Sequence, residues 1–126
     1  MRRIPPAQDA LVAEQRARQS ARITDVERLQ SVGREFAALS TLYEDDAGFD
    51  RDLGVVLLLG ADFNRAAEML QICLRLDPAR PSAAFLLALA RLGQGRVDEA
   101  RSLLEHVQPS DPSYAAARRR LQLLVP

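Results

Sequence analysis

No lysine and no tryptophan occur among the 126 residues, and cysteine and histidine occur once each. A single cysteine, Cys73, cannot form an internal disulfide, so nothing points to a disulfide-stapled secreted scaffold. His106 has no second histidine or clustered thiol to share a metal with, and no metal site is expected. Net charge is lacking too: 17 basic residues, all arginine, stand against 17 acids, which removes the usual basis for general nucleic-acid or anionic-membrane affinity. Long apolar runs are missing. The most apolar stretch, Leu53 to Gly60, is far too short to span a bilayer. The start, Met1-Arg2-Arg3-Ile4 followed by Pro5-Pro6, has no apolar core of signal-peptide length, so the expected compartment is the cytoplasm. No strand is evident, no glycine-rich phosphate loop follows one, and Ser, His and Asp fall in no arrangement that spacing singles out. No catalytic residue and no cofactor are therefore expected. Arginine without lysine, with abundant Ala and Leu, reads as coding bias of a GC-rich, bacterial-looking genome.

What is present is a repeat. Leu53-Gly54, Ala66, Leu70, Cys73 and Asp77-Pro78 recur thirty-four residues later as Leu87-Ala88, Ala100, Leu104, Val107 and Asp111-Pro112. In the turns between apolar runs stand Asp62-Phe63-Asn64 and Arg96-Val97-Asp98. A period of this length is that of a stacked helical hairpin. Gly54 or Ala88 in the first helix and Ala66 or Ala100 in the second supply the small residues that two helices need to cross closely. The joint spacing resembles the tetratricopeptide (TPR) repeat. With Ala47 and Pro81 as first positions, the small and apolar positions of that family fall on Leu53, Gly54, Leu57, Ala66, Leu70, Cys73 and Pro78. In the second unit they fall on Leu87, Ala88, Arg91, Ala100, Leu104, Val107 and Pro112. The departures are Asp50 and Ala84 at a usually aromatic position, and Arg91 at another. The implied fold is all-α, a right-handed stack of antiparallel helical hairpins (a TPR-like α-solenoid) with N-terminal helices and a C-terminal capping helix. One domain over 1–126 is expected, with an arm at 1–46, repeats at 47–80 and 81–114, and a capping helix at 112–126. The spacing predicts helices over 51–59, 64–76, 81–93, 98–107 and 112–124.

Before the repeats the signal thins. Residues 7–23 are helical in pattern but poor in apolar residues, and Thr24-Asp25-Val26-Glu27 has the form of a capping box, which predicts a fresh helix there. Val26, Leu29, Val32, Phe36, Leu39 and Tyr43 form an apolar stripe read as a packing face. Val32, Phe36 and Leu39 lie thirty-four residues before Ala66, Leu70 and Cys73, but the matching first-helix pair, Gln19 and Ser20, is poor. The region is either an eroded repeat or a packing helix. The acidic stretch Glu44-Asp45-Asp46-Ala47-Gly48-Phe49-Asp50-Arg51-Asp52 lacks the spacing of a calcium loop. Asp50 and Asp52 are read as helix-start carboxylates. Asp111-Pro112 is read as the start of the last helix, with Tyr114, Ala117, Leu121 and Leu124 inward and Arg118 and Arg120 in water.

In the TPR family, set positions of each first helix line a concave groove. Here the resemblance puts Gly48, Arg51, Val55 and Leu58, then Ser82, Phe85, Leu89 and Leu92 there, with Arg119 and Leu123 from the final helix. Carboxylate clamping, which in the family uses Lys and Asn, has no counterpart in Gly48, Arg51, Asp52, Val55, Ser82, Phe85, Leu86 and Leu89. The implied function is a protein–protein interaction module, a small adaptor or chaperone holding a partner segment in an apolar groove, as helical-repeat chaperones of secretion systems do. The partner is another protein, not nucleic acid. The alternative is a self-association or scaffold element, a homo-oligomer, whose groove is filled by its own N-terminal arm or by another copy. Cys73, in a core slot, reads as a buried inert thiol.

Overall fold

The computed structural model describes residues 6–124, with the side chains of 6–9 and 18–24 left aside. The Arg-rich start at 1–5 and the closing Val125-Pro126 lie outside the described residues. The elements are α1 (Pro6–Ala38), a 3₁₀ turn (Ser40–Tyr43), α2 (Ala47–Leu59), α3 (Phe63–Leu76), α4 (Ala83–Gly93), α5 (Val97–Glu105) and α6 (Tyr114–Leu123). Each of α2 to α5 packs on the next in the chain, and α2 also reaches α4, the pattern of stacked hairpins. There is no strand among the described residues.

The hairpins close on small residues. Ala66, Ala88 and Ala100 are fully buried, and a Cβ added at Gly54 would lie 2.7 Å from Leu70 Cγ, so only glycine admits the crossing in the first unit. Two apolar clusters follow from the repeat. One holds Leu53, Leu57, Leu70 and Leu87; the other holds Ala88, Ala100, Leu104, Val107 and Ala117. Burying a leucine side chain stabilises by about 1.5–3 kcal/mol, so the large residues at the repeating positions carry the fold. As expected, Tyr114, Leu121 and Leu124 join Ala117 against the second cluster, while Arg118, Arg119 and Arg120 stay exposed.

Helix starts differ from expectation for local reasons. α2 begins four residues earlier because Asp46, not Asp50 or Asp52, accepts the Phe49 N–H at 3.0 Å. Asp50 instead turns inward and is buried. α6 begins after Asp111-Pro112, because Asp111 Oδ1 accepts the Ser113 N–H at 2.8 Å in a turn that precedes the helix. Its Oδ2 accepts the Ser82 N–H at 3.1 Å. Asp111 thereby fastens the entry of α4, where Ser82 holds a left-handed φ of 65°, to the entry of α6.

The N-terminal third departs most. Two helices were expected, and the structure has one, 33 residues long, running straight through the Thr24 capping box. A cap contributes about 1 kcal/mol, and stopping there breaks continuing backbone hydrogen bonds; the exchange is favourable only if the released helix buries apolar surface. Gln19, standing where the repeats have Leu53 and Leu87, offers little to bury. The apolar stripe also splits. Leu29 and Phe36 are half-buried, but Val26, Val32, Leu39 and Tyr43 are exposed, so the stripe is only in part a packing face. What holds α1 to α2 is an aromatic stack: the Phe49 ring lies 5.0 Å from Phe36 and 4.6 Å from Tyr43, both near parallel. Gly33 lets α2 approach, since a Cβ there would meet Leu57 at 3.2 Å.

Candidate functional site

The residues expected to line a groove come from the first helices α2 and α4, which adjoin. Val55, Leu58, Phe85, Leu89 and Leu92 are all half-buried. Leu58 lends part of its surface to the first apolar cluster, and Phe85 and Leu92 lend theirs to the second. Val55 and Leu89 belong to neither cluster. Three of the five thus pack in part on the two cores, and all five keep part of their surface exposed. Arg51 is more constrained than a free flank: it donates from Nη2 to Asp52 Oδ1 at 3.0 Å and reaches the Pro81 carbonyl at 3.5 Å, next to the start of α4. Arg119 is exposed on α6, and Leu123 is 77% exposed.

Several residues with structural consequence were not singled out by spacing. Arg91, noted only as a departure, is buried, with Nε 3.2 Å from Glu99 Oε2 and Nη1 donating to Gln94 Oε1 at 2.9 Å. An aromatic position of the repeat is thus refilled by the arginine stem, with its charge met at the α4–α5 turn. Gln94 in turn donates to Asn64 Oδ1 at 2.8 Å, tying the end of α4 to the start of α3. The visible signal for Arg91 was an acid eight residues on, at Glu99. Arg80 lies 3.3 Å from Asp77 Oδ2 as a through-space ion pair, since its buried Nε has no acceptor in line.

Among the described residues, electrostatics are perturbed at Asp50, Cys73 and Asp111. Burial, then the neighbouring Asp46 and Asp45 carboxylates, push the Asp50 carboxyl above its ordinary range. Burial raises the Cys73 thiol, and the opposing pull of Arg80 does not reverse it, so the sulfur stays protonated and unreactive. Burial works to raise Asp111 as well, but hydrogen bonds from the Ser113 hydroxyl, the Ser113 N–H and the Ser82 N–H outweigh it and hold the carboxyl low. His106 is exposed, its Nδ1 2.6 Å from the Ser102 carbonyl oxygen.

Consecutive antiparallel hairpins with small residues at each crossing define the chain as a helical-hairpin repeat protein. A family model described as tetratricopeptide repeat matches residues 57–122. The chain belongs to that family, whose repeats generally mediate protein–protein interaction and are typically non-enzymatic. A search of curated proteins finds no match. No helix among the described residues is long and apolar enough to cross a membrane.

Proposed function

We propose that the protein is a non-enzymatic adaptor or chaperone that holds a segment of a partner protein along Val55, Leu58, Phe85, Leu89 and Leu92. The observation that carries this reading is the half-burial of five large apolar side chains on two adjoining first helices, two of which, Val55 and Leu89, pack on neither core. Apolar strips of that kind on proteins mark binding sites. Phe85 is the energetic anchor as the strip's aromatic residue, and Arg51, Arg119 and Leu123 flank it, with the two arginines favouring an acidic segment. The protein's own arm is a poorer occupant, because residues 7–22 continue the same helix whose later residues, Leu29, Gly33 and Phe36, are the ones that pack.

The test is capture of a partner from the native host by the whole chain, by Phe85→Glu and by Leu89→Glu. Phe85 also supports the second cluster, so Leu89→Glu separates lost binding from lost folding, with circular dichroism as the check. A specific partner lost with both variants supports the strip. Retention by a folded Leu89→Glu and a folded Phe85→Glu removes it.

A further inference from the structure

Beside the turn that joins α1 to α2 lies a cavity of about 270 Å³ that shares no residue with the apolar strip. The turn and the start of α2 bring three acids to it, Glu44, Asp45 and Asp50. From α3 come Met69, Ile72 and Leu76, three and four residues apart and so on one face of that helix. Ser40 and Thr41 complete the lining.

Glu44 and Asp45 are exposed, as acids on a turn usually are. Asp50 is different. It is 7% exposed, more than nine-tenths buried, yet it lines the cavity, and no hydrogen bond or ion pair meets its carboxyl. A buried carboxylate without a donor is costly to the fold. The charges that act on it are Asp46 and Asp45, like in sign, and with burial they hold its carboxyl above the ordinary range. Arg51, its neighbour in the chain, is engaged with Asp52 and the Pro81 carbonyl. No basic residue lines the cavity. Three carboxyls therefore converge without a cation.

The other residues say which cation fits. No three His, Cys, Asp or Glu side chains among the described residues are grouped as a metal ion needs. A bare ion would also leave the α3 side uncovered, where Met69 and Ile72 are half-buried and Leu76 is 40% exposed. An aliphatic stem that ends in a positive head satisfies both parts of the lining. Acceptors on separate residues suit a compact ammonium with three rotatable donors better than the planar guanidinium fork, which matches a single carboxylate. The volume falls just under the ~300–1,000 Å³ of sites for drug-sized ligands, the scale of one long side chain. The chain has no lysine, so such a stem comes from another molecule.

We propose that this cavity takes a lysine side chain of a partner protein, with its stem along Met69, Ile72 and Leu76 and its ammonium on the carboxyls of Asp50, Asp45 and Glu44. The ammonium supplies the counter-charge that Asp50 lacks, so binding also stabilises the folded chain. The site is independent of the strip and needs no residue from it.

Methionine occurs only at Met1 and Met69, so isotope labelling of the methionine methyls places one reporter in the cavity of the whole chain. Titration at pH 7 and constant ionic strength with Nα-acetyl-lysine N-methylamide should move the Met69 signal to saturation and leave Met1 unmoved. The Nε-acetylated probe, which has the stem without the charge, should leave both in place. Asp50→Asn, which is isosteric, and Glu44→Gln, at an exposed position, should weaken the lysine probe, the first by about tenfold or more. Glu105→Gln, exposed on α5 and outside the cavity, should not. Tighter binding of cadaverine than of the lysine probe would overturn the assignment in favour of a free diamine. No saturable Met69 shift, an equal shift with the acetylated probe, or an affinity unchanged by Asp50→Asn would each overturn it too.

Discussion

The two ends of the stack meet the same problem with opposite results. At the C-terminal end, α6 brings Tyr114, Ala117, Leu121 and Leu124 onto the second cluster and turns three arginines outward. At the N-terminal end, α1 is over three times as long, with 33 residues against 10, yet its described side chains bury little beyond Leu29, Gly33, Phe36 and Ala37. The difference is not length or helix propensity but the spacing of apolar residues. A short helix with one continuous apolar face closes a repeat stack, whereas a long helix with its apolar residues scattered stays bare over most of its surface.

The sharpest way to break this comparison is truncation. Removing residues 114–126 uncovers Ala88, Leu104 and Val107, and the second unit should lose cooperative unfolding in a denaturant melt followed by circular dichroism. Removing residues 1–22 should leave the unfolding midpoint of the isolated monomer near its original value. The reverse ranking would contradict the roles assigned to the two ends. Next in size, Ala100→Leu should cost about 1–3 kcal/mol by overpacking the crossing. Val32→Leu, at the corresponding position of the N-terminal unit, should change monomer stability by less than about 0.5 kcal/mol. Equal losses in the two would mean that Val32 is packed as closely as Ala100.

How far the fold could be read beforehand follows the same division. The five helices from α2 to α6 were legible to within four residues, because a small residue at each crossing and a leucine behind it leave one register. The start of α2 was misplaced because Asp46, Asp50 and Asp52 all suit a helix start, and only tertiary burial separates the cap from the inward carboxyl. The continuous α1 was not legible: its capping box is a sound local signal that is overruled when no apolar first helix exists to stop for. For the candidate surface, five apolar residues were read as an excess, but Leu58, Phe85 and Leu92 lend surface to the clusters and only Val55 and Leu89 pack on neither. The pairing of Arg91 with Glu99 needed a turn geometry that spacing alone does not contain.

Smaller effects set one junction against the other through pH. Asp111 has its carboxyl held below the ordinary value in the folded state, so it contributes stability above the unfolded pKa that is lost as pH falls through the folded one. Asp111→Asn should therefore destabilise at pH 7 and progressively less as both carboxyls protonate. Asp50 has the opposite sign. Its folded pKa lies above the unfolded one, so ionisation opposes folding, and the penalty grows as pH rises from the ordinary carboxylate value to the raised one. Asp50→Asn should raise the urea midpoint at pH 7 and leave it unchanged below about pH 4. Two variants with the same pH response would refute the contrast. Smallest of all, Arg96→Gln removes an exposed pair 3.6 Å from Glu99 and should shift stability by less than about 0.5 kcal/mol.

Cys73 turns the junction between the two units into a clock. It is buried with Ala47 and Ala83, where the beginning of α2, the last turn of α3 and the beginning of α4 converge. A thiol reagent can reach the sulfur only when α4 lifts from the first hairpin or that hairpin opens, so the labelling rate reports the frequency of that event. Followed against denaturant, the rate distinguishes a stack that opens as one body from one that parts between its hairpins, the quantity that sets cooperativity in repeat proteins. Because the sequence has a single cysteine, that measurement can be made on the unaltered protein.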